Sequence, residues 1–186
     1  MAPQTSTRLT YEDYLELPDD GKQYELIEGE LVLNPTPITR HQWIAGNIYH
    51  AFRNYLDDRD IGKAFTAPLD VVLAEDVVVE PDVMLILRER IAIIGDKNIQ
   101  GAPNIVVEVL SDGTRKWDEV VKRKLYERYG VGEYWIVDPV IDAVKIDRRS
   151  GTSFVRAVEI STESGGEITS PLLPGFALDV KLVFEA

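Results

Sequence analysis

The sequence contains no cysteine and only two histidines, His41 and His50, among its 186 residues. Without cysteine the chain can form neither a disulfide framework nor a thiolate metal site. Two histidines also argue against a zinc site built from several imidazole ligands. A metal site in this chain would therefore use mainly the oxygen atoms of aspartate and glutamate.

Long apolar segments are missing as well. The N-terminal stretch MAPQTSTRLTYEDY lacks the apolar centre of a signal peptide. No run in the sequence approaches the length of a transmembrane helix. We therefore expect a soluble, cytoplasmic protein.

The chain lacks an excess of positive charge: 32 acidic residues outnumber 20 basic ones, so the formal net charge is −12 at pH 7. Sequence-independent affinity for nucleic acid comes mainly from basic residues that neutralise phosphates, so this charge argues against a general nucleic-acid coat. One segment differs: residues 115–128 carry six basic side chains against three acidic ones. This segment leaves room for a local contact with nucleic acid.

The apolar residues are numerous enough for a sizeable core, since 45% of the sequence is hydrophobic. We expect a single domain over residues 1–186. Three short runs rich in apolar residues and bounded by turn-forming residues predict buried strands. They are MLIL, IVVEVL and YWIV.

Two segments have the periodicity of amphipathic helices. Apolar residues recur at helical spacing from His41 to Leu56, and again in WDEVVKRKLYERYG, where Gly130 ends the helix and SDGT offers caps at its start. A shorter helix, TYEDYLEL, is predicted near the N-terminus with Thr10 as its cap. Three aromatic residues are predicted to lie in the core, namely Trp43, Phe52 and Trp135.

The remaining segments predict strands and loops. QYELIEGELVLN predicts a hairpin with its turn at Glu28-Gly29, and PLDVVLAEDVVVEPDVML predicts two strands with a turn at Glu75-Asp76. The segment RERIAIIGDKNIQGAPN is predicted to be a loop. Antiparallel strands are expected in DAVKIDRR, TSFVRAVEI and GFALDVKLVF. The predicted fold class is α+β, a mixed α/β sheet flanked by helices.

A carboxylate in the middle of an apolar strand is the anomaly of this sequence. Glu108 lies within IVVEVL, and a buried ionised group needs a cation, a proton or hydrogen-bond donors. Asp82 begins another apolar run, so the two carboxylates would share a site if their strands are neighbours. Such an oxygen-rich site suits Mg²⁺ or Mn²⁺, which stabilise charge on a phosphate under attack.

A lysine is available to the same site. Lys122 follows Glu108 by fourteen residues, which is enough for a turn and about two helical turns to bring it back over the strand. Asp118, Lys122 and Tyr126 are spaced four apart and are expected on one face of their helix. Lys122 would hold a phosphate oxygen or the attacking water.

The order of these motifs resembles the PD-(D/E)XK nuclease superfamily. Pro81-Asp82 is followed by the glutamate-bearing strand, the lysine helix and GVGEYWIVDP. More narrowly, the chain is similar to a bacterial family of small restriction-endonuclease-like proteins from about Thr10 to Phe184. The pieces that match are YELIEGEL, the PITRH loop, VEPDV, APNIVVEVLSDGTRKWD, the lysine-and-tyrosine helix, GVGEYWIVDP and SPLLPGFALDV.

The resemblance implies roles for individual residues in a restriction-endonuclease-like core with extra antiparallel strands. Asp82, Glu108 and the backbone carbonyl of Val109 would bind the metal, and Glu25 would be an auxiliary acid. The superfamily's lysine usually lies two residues after the glutamate, where this sequence has Leu110. Lys122 on the following helix would replace it.

The resemblance also implies the reaction and its substrate. We expect a Mg²⁺- or Mn²⁺-dependent endonuclease that hydrolyses DNA by attack of a water on phosphorus, with the 3′-oxygen leaving. His41 and Arg115 are the candidate substrate contacts. Because such folds often cut both strands with two copies of the site, we expect a homodimer.

Other readings of the same residues stay open at this point. Glu108 could be a structural carboxylate paired with Lys122, and the Asp118–Lys122 pair could be an ordinary salt bridge on a helix surface. Glu28 competes with Glu25 as the acid facing the site. His41 could cap a helix or lie at the surface.

Two other functions are compatible with the sequence. A nuclease fold that no longer cuts, and serves as a binding or assembly module, would explain both the net charge of −12 and the missing lysine. Two carboxylates also suit glycoside hydrolysis, but the sequence lacks the aromatic-rich composition expected of a sugar-binding cleft.

Overall fold

The computed structural model of the protein describes residues 8–111 and 113–185. Within these residues the elements form a mixed α/β architecture. The strands are β1 (Gln23–Ile27), β2 (Glu30–Asn34), β3 (Gly62–Thr66), β4 (Val71–Ala74), β5 (Val77–Val79), β6 (Val83–Leu87), β7 (Ile99–Gln100), β8 (Ile105–Val109), β9 (Glu133–Asp138), β10 (Ala143–Ser150), β11 (Ser153–Ser161), β12 (Glu167–Ser170) and β13 (Leu173–Asp179).

The helices differ widely in length. The helix α2 is the longest, and α3 continues directly from a π-helical turn. The helical elements are α1 (Tyr11–Leu15), α2 (Thr39–Leu56), a 3₁₀ helix (Arg88–Ile93), the π turn (Trp117–Lys122), α3 (Arg123–Tyr129) and α4 (Val180–Phe184).

A mixed six-stranded sheet in the order β11-β10-β9-β8-β6-β3 forms the centre of the molecule. Its strands β8 and β9 run parallel, whereas the other neighbouring pairs are antiparallel. A five-stranded sheet has the order β2-β1-β5-β4-β7, and β12 pairs with β13. The predicted fold class, a mixed sheet flanked by helices, is confirmed.

Alternating side chains of the central sheet divide the core into two clusters. On β8, Val107 and Val109 face the cluster that α2 and α4 cover. Val106 and, just after the strand, Leu110 face the other cluster, which includes residues of β1, β4, β5 and α3. All five residues of β8 are buried, which explains why its sequence is an almost unbroken apolar run.

Local signals in the sequence correctly predicted several elements. The Thr10 hydroxyl accepts the Asp13 N–H, and the Asp13 carboxylate accepts the Thr10 N–H, so both halves of a capping box begin α1. Glu28 and Gly29 have φ angles of 51° and 81°. Two consecutive positive φ angles are typical of the tight hairpin turn that joins β1 to β2.

Three strand or loop predictions need correction. Gly62–Thr66 was not predicted as a strand, but it pairs with β6 as β3 at the edge of the central sheet. The predicted loop after β6 contains a 3₁₀ helix and the short strand β7. The segment GFALDVKLVF is a strand only as far as Asp179, whose side chain accepts the Lys181 N–H and so caps α4.

Side-chain predictions were mixed. Phe52 and Trp135 are fully buried as expected, but Trp43 is 51% exposed and donates its indole N–H to the Glu185 carbonyl. The cap prediction for SDGT includes Asp112, which lies outside the described residues. At the start of the π turn, Lys116 makes no side-chain capping hydrogen bond.

None of the helices in residues 8–111 and 113–185 is both long and apolar enough to cross a lipid bilayer.

Candidate active site

Lys122 lies at the centre of a buried group of carboxylates. Its Nζ atom is 2.9 Å from Oε1 of Glu25, 3.0 Å from Oε1 of Glu108 and 3.7 Å from Oδ1 of Asp118. The exposed fraction of each of these four side chains is 5% or less. One ammonium group therefore faces three carboxylates in a region that excludes most water.

Three separate elements bring these groups together. Glu25 comes from β1, and Glu108 comes from β8, where alternation turns it toward the same side as Val106 and α3. Asp118 and Lys122 both lie on the π turn. The fourteen-residue spacing between Glu108 and Lys122 correctly predicted their proximity, and Glu25 rather than Glu28 faces the site.

Two tyrosines hydrogen-bond to residues of this cluster. The Tyr126 hydroxyl donates a hydrogen bond of 2.6 Å to Oε1 of Glu108, so this oxygen accepts from both Tyr126 and Lys122. The Tyr134 hydroxyl donates to the backbone carbonyl of Asp118 at 3.1 Å. Because both tyrosines are fully buried, they restrict the positions that Glu108 and the π turn can adopt. Asp118, Lys122 and Tyr126 share a face, as predicted.

Asp82 lies beside Glu108 at the edge of the buried cluster. The strands β6 and β8 are neighbours in antiparallel register, with Val83 opposite Val107, so Asp82 lies next to Glu108. The Asp82 side chain is 18% exposed. Its Oδ2 atom accepts the Val109 N–H at 2.8 Å. Both carboxylates are therefore at the same end of adjacent strands, as the metal-site hypothesis requires.

His41 contacts Asp82 from the first turn of α2. Its Nε2 atom is 3.1 Å from Oδ2 of Asp82. Burial alone would lower the pKa of His41, but the hydrogen bond and charge of Asp82 outweigh it and raise the pKa. His41 is 8% exposed, so the interpretation as a surface residue is wrong.

Glu80 is a site residue that the sequence analysis missed. It is 8% exposed, and its backbone N–H donates to Oε1 of Glu25 at 2.8 Å. Burial, with the charges of Asp70 and Glu25, raises the pKa of Glu80 to about 7. The signal was available, because a glutamate that directly follows the buried run Val77–Val79 is as unusual as one inside it.

Burial also shifts the pKa values of the central groups. It raises the pKa of Glu108 well above its ordinary value and that of Asp118 to about 6. Burial would lower the pKa of Lys122, but the surrounding carboxylates, Glu108 first, raise it well above its ordinary value. Lys122 therefore keeps its proton at neutral pH.

The charges of the site suit a hard divalent cation. The site contains five carboxylates but only one lysine and one histidine. Oε2 of Glu80 is buried without a hydrogen-bond partner. Carboxylate oxygens are the ligands that Mg²⁺ and Mn²⁺ prefer. Added positive charge would also offset the raised pKa values of Glu80, Glu108 and Asp118. The five carboxylates are those of Glu25, Glu80, Asp82, Glu108 and Asp118.

In this structure Lys122 compensates part of the negative charge of the carboxylates. In the part of the chain that the structure describes, no three acidic or histidine side chains already have the geometry of a metal site. The ammonium group of Lys122 lies between Glu25 and Glu108. The N–H of Val109 binds Asp82, and the role of its carbonyl as a metal ligand stays a prediction.

Arg115 lies apart from the carboxylates. Its guanidinium makes two hydrogen bonds to Asp138, of 2.5 and 2.8 Å. These hydrogen bonds hold the pKa of Asp138 below its ordinary value. Among the described residues, Arg115 is not part of the wall around the carboxylates. The structure therefore does not place Arg115, a predicted substrate contact, beside the other candidate residues.

The carboxylates line a small cavity that opens into a larger groove. The cavity has a volume of about 180 Å³, and the adjoining groove has about 540 Å³. Asp82 and residues 33–35 belong to both. The cavity wall also contains residues that are not acidic, in the π turn and the segment before it, namely Ser111, Gly113, Thr114 and Trp117.

Solved structures include a protein with the same fold. The structure of a "putative nuclease belonging to DUF820" from Anabaena variabilis superposes on the chain with a TM-score of 0.78 at 20% sequence identity. The superposition covers 95% of this chain and 97% of that one. No curated protein matches the chain. The likeness confirms the nuclease-like fold.

A family model matches almost the whole sequence. The match extends over residues 11–181 and includes every residue of the carboxylate cluster together with Lys122. This confirms the resemblance that the motifs indicated. The chain belongs to the Uma2 family, whose description is "Putative restriction endonuclease".

Proposed function

We propose that this protein is a metal-dependent endonuclease that hydrolyses phosphodiester bonds of DNA. The observation that carries the proposal is the meeting of Asp82, Glu108 and Lys122 at one end of neighbouring strands, in a cavity open to a larger groove. Family membership and the fold shared with the Anabaena variabilis protein support the same reaction.

Asp82 and Glu108, with the carbonyl of Val109, would hold a divalent cation, Mg²⁺ or Mn²⁺. When bound, the cation would neutralise charge on the phosphate and lower the pKa of a water molecule. The protein keeps the two carboxylates in place for this task. Val109 and His41 fix Asp82, while Tyr126 fixes Glu108.

Lys122 would orient the attacking water. Its raised pKa keeps it protonated, so its N–H groups can donate to the water or to a phosphate oxygen. Glu25 assists by holding the ammonium group through a contact of 2.9 Å. The water would attack phosphorus, and the 3′-oxygen would leave. His41, next to Asp82, would contact the substrate at the site, whereas Arg115 would contact it outside the carboxylate cavity.

Double-strand cutting by such folds often uses two copies of the site, one for each strand. We therefore propose that the protein acts as a homodimer of one-domain subunits. Action on cellular DNA would take place in the cytoplasm. The mass of the protein in solution, measured by light scattering with and without DNA, tests the dimer.

A second candidate is a nuclease fold that binds but does not cut. The observation that favours it is the position of Lys122, which already neutralises Glu25 and Glu108. A binding module of this kind would keep its affinity for its ligand in EDTA, whereas an endonuclease would lose activity.

Cleavage of plasmid DNA in Mg²⁺ tests the proposal. EDTA should abolish cleavage, and Asp82→Asn should lower the rate at least about 100-fold, since even outer partners of metal ligands cost up to that factor. The control is Asp58→Asn, which changes an exposed acid far along the chain from the site. Equal rates for both variants, or cleavage in EDTA, would contradict the proposal.

A further inference from the structure

The turn between β9 and β10, residues 139–142, exposes two large aliphatic side chains. Val140 is 69% exposed and Ile141 is 57% exposed, which places both among the most exposed large hydrophobic residues that the structure describes. Tight turns are built mainly from glycine, proline, asparagine, aspartate and serine. Two adjacent aliphatic side chains instead keep apolar surface in water, and burial against a partner would recover that free energy.

This β9–β10 turn is anchored at both ends. Asp138, the last residue of β9, accepts the Val140 N–H at 3.0 Å. Arg115 makes two hydrogen bonds to the same carboxylate. At the other end, Asp142 forms an ion pair of 2.6 Å with Arg40 of α2. The two exposed side chains therefore project from a support that is fixed in advance of binding.

The β9–β10 turn lies at the same end of the central sheet as the candidate active site. Strands β8 and β9 are parallel, with Glu108 opposite Ile136, so β9 ends beside the end of β8 that carries Glu108. Adjacent residues of α2 join the two places, because His41 contacts Asp82 and Arg40 contacts the turn. The turn begins two strands from Asp82, which is about 10 Å at the usual strand spacing. A duplex with its scissile phosphate at Asp82 therefore brings base pairs about three steps away beside the turn.

The size of the apolar surface distinguishes two kinds of partner. A stable dimer buries about 800 Å² on each subunit. Two aliphatic side chains at the tip of a turn supply only a small part of that area. Insertion between stacked bases needs only one or two apolar side chains, and isoleucine is among the residues that DNA-bending proteins use for it. The surface therefore fits a base step of duplex DNA.

The charge around the turn is compatible with DNA. Asp138 is paired with Arg115, and Asp142 is paired with Arg40. The β9–β10 turn and these flanking residues therefore carry no net charge, whereas the whole chain carries −12. A phosphate backbone meets less repulsion here than from the chain as a whole.

We infer that Val140 and Ile141 insert between base pairs of duplex DNA beside the scissile phosphate and unstack one base step. This inference rests on the proposed function and deepens it, since it assigns a DNA-distorting surface outside the carboxylate cavity. The distortion has a use in the proposed reaction. The carboxylates line a recess of about 180 Å³, and DNA is too stiff to bend smoothly into it over a few base pairs.

Cleavage of two labelled duplexes, one fully paired and one with a central mismatch, tests the inference. Ile141→Ser should cut the paired duplex about tenfold more slowly than the wild type, a loss within the unstacking free energy of one base step. Beside the mismatch it should cut at nearly the wild-type rate, because a mismatched base is already easier to unstack. This recovery also shows that the variant is folded.

Val155→Ser is the matched control. Val155 is about as exposed as Ile141, but it pairs with Arg148, which lies opposite Glu133 at the far end of β9. Val155→Ser should cut both duplexes at the wild-type rate.

Untwisting of DNA gives a readout that does not depend on cleavage. Nicked plasmid is sealed by DNA ligase in Mg²⁺ while the slow-cutting Asp82→Asn protein is bound. The linking number of the product should fall, because insertion between base pairs untwists the duplex. Asp82→Asn combined with Ile141→Ser, at the same occupancy, should leave the linking number unchanged. Asp82→Asn combined with Val155→Ser should lower it as Asp82→Asn does.

The outcomes separate the inference from the proposed function. Wild-type cleavage of the paired duplex by Ile141→Ser, an equal loss on both duplexes, or an unchanged linking number with bound Asp82→Asn would each overturn the inference, while cleavage by the wild type would leave the proposed function standing. Light scattering that shows Ile141→Ser to separate a dimer into monomers would also overturn it, by assigning the turn to a subunit interface. A wild type that cuts neither duplex, although bound Asp82→Asn untwists the plasmid, would overturn the proposed function alone.

Discussion

At the scale of single residues, Lys122 is the cation that balances the negative charge of the buried carboxylates. Its ammonium group is within 3.0 Å of Glu25 and Glu108, in a place where water is almost excluded. Breaking a buried ion pair by removal of one partner is costly, because the remaining charge is left without compensation. The lysine therefore stabilises the fold as well as serving the proposed chemistry.

Lys122→Met should lower the free energy of unfolding by about 3 kcal/mol at neutral pH, since it leaves buried carboxylates unpaired. Urea unfolding in EDTA measures this loss. Lys124→Met is the matched control, because Lys124 is exposed on the same helix and its loss should change stability by less than about 0.5 kcal/mol. Equal stability of the two variants would show that Lys122 does not compensate the acids.

Glu80 gives a prediction with a pH dependence. Its pKa is about 7 in the folded protein against an ordinary value of 4.5, so the unfolded chain releases this proton first as the pH rises. Stability is therefore lost between these two values and stays lower above pH 7. Glu80→Gln removes the effect and should stabilise the metal-free protein by about 3 kcal/mol at pH 8 and by little at pH 4.

Urea unfolding of Glu80→Gln in EDTA at several pH values is the measurement. Glu163→Gln, which changes an exposed acid, should show no such pH dependence. A Glu80→Gln protein that is destabilised equally at pH 4 and pH 8 would contradict the buried, metal-free state of this carboxylate.

The sequence predicted some of the site residues and not others. Glu108 was found because an acid within an apolar strand is rare, and Lys122 because helical spacing returns it to that strand. Glu80 was not found, since the run Val77–Val79 before it was interpreted only as part of a strand. Its proximity to Glu25 is a property of the folded sheet, which local pattern does not encode.

The elements were predicted well wherever one local pattern dominates. The strand β8 and the helix α2 have clear periodicity. The strand β3 was missed because Ala64 is its only buried residue, so the sequence GKAFT has no apolar run. The helix α4 was mistaken for a strand, because Val180, Leu182 and Phe184 alternate with other residues, while the cap at Asp179 decides the structure.

The end of α3 gives a prediction at the scale of the element. Gly130 has a φ angle of 90°, and a Cβ atom there would meet nothing within 4 Å. Gly130→Ala should therefore cost about 1 kcal/mol of stability through backbone strain alone. Gly46→Ala, in the exposed middle of α2 with equally free space, should instead stabilise by about 1 kcal/mol.

Thermal unfolding of both alanine variants checks these opposite signs. Loss of stability in both would mean that the added methyl group, rather than the φ angle, sets the effect. A gain of stability in both would show that the end of α3 does not require the left-handed conformation.

The π turn Trp117–Lys122 is the element that the sequence could not predict. A π turn inserts an extra residue into a helix and is frequently found at functional sites. Here it carries Trp117, Asp118 and Lys122, which all line the same cavity. Because ordinary helical periodicity describes the segment almost as well, only the folded structure reveals the wider turn.

The whole molecule has a net charge of −12 and a cavity lined by acids, which together repel nucleic acid. Binding of DNA should therefore require a divalent cation, in contrast to proteins whose basic surface neutralises phosphates. Fluorescence anisotropy of a labelled DNA fragment should show that the wild type binds DNA in Mg²⁺. The slow-cutting variant Asp82→Asn should bind it more weakly in Mg²⁺. In EDTA neither the wild type nor any variant should bind.

Tight DNA binding in EDTA would point to a non-cutting binding module. A matched titration at two salt concentrations, with Mg²⁺ held constant, is the control for general electrostatic attraction. A weak salt dependence is expected, since the basic segment 115–128 holds only six positive side chains and three acidic ones.

Calorimetric titration of Mg²⁺ into the wild type and into Glu108→Ala tests the central claim most directly. The proposal predicts binding to the wild type and to Asp58→Asn, an exposed control, and its loss in Glu108→Ala. Glu108→Gln, which preserves shape and hydrogen bonding to Tyr126, should also lose binding, so a folding defect cannot mimic the result. Identical Mg²⁺ binding in the wild type and both Glu108 variants, or binding in none, would contradict a metal-dependent site and leave the carboxylates with a structural role.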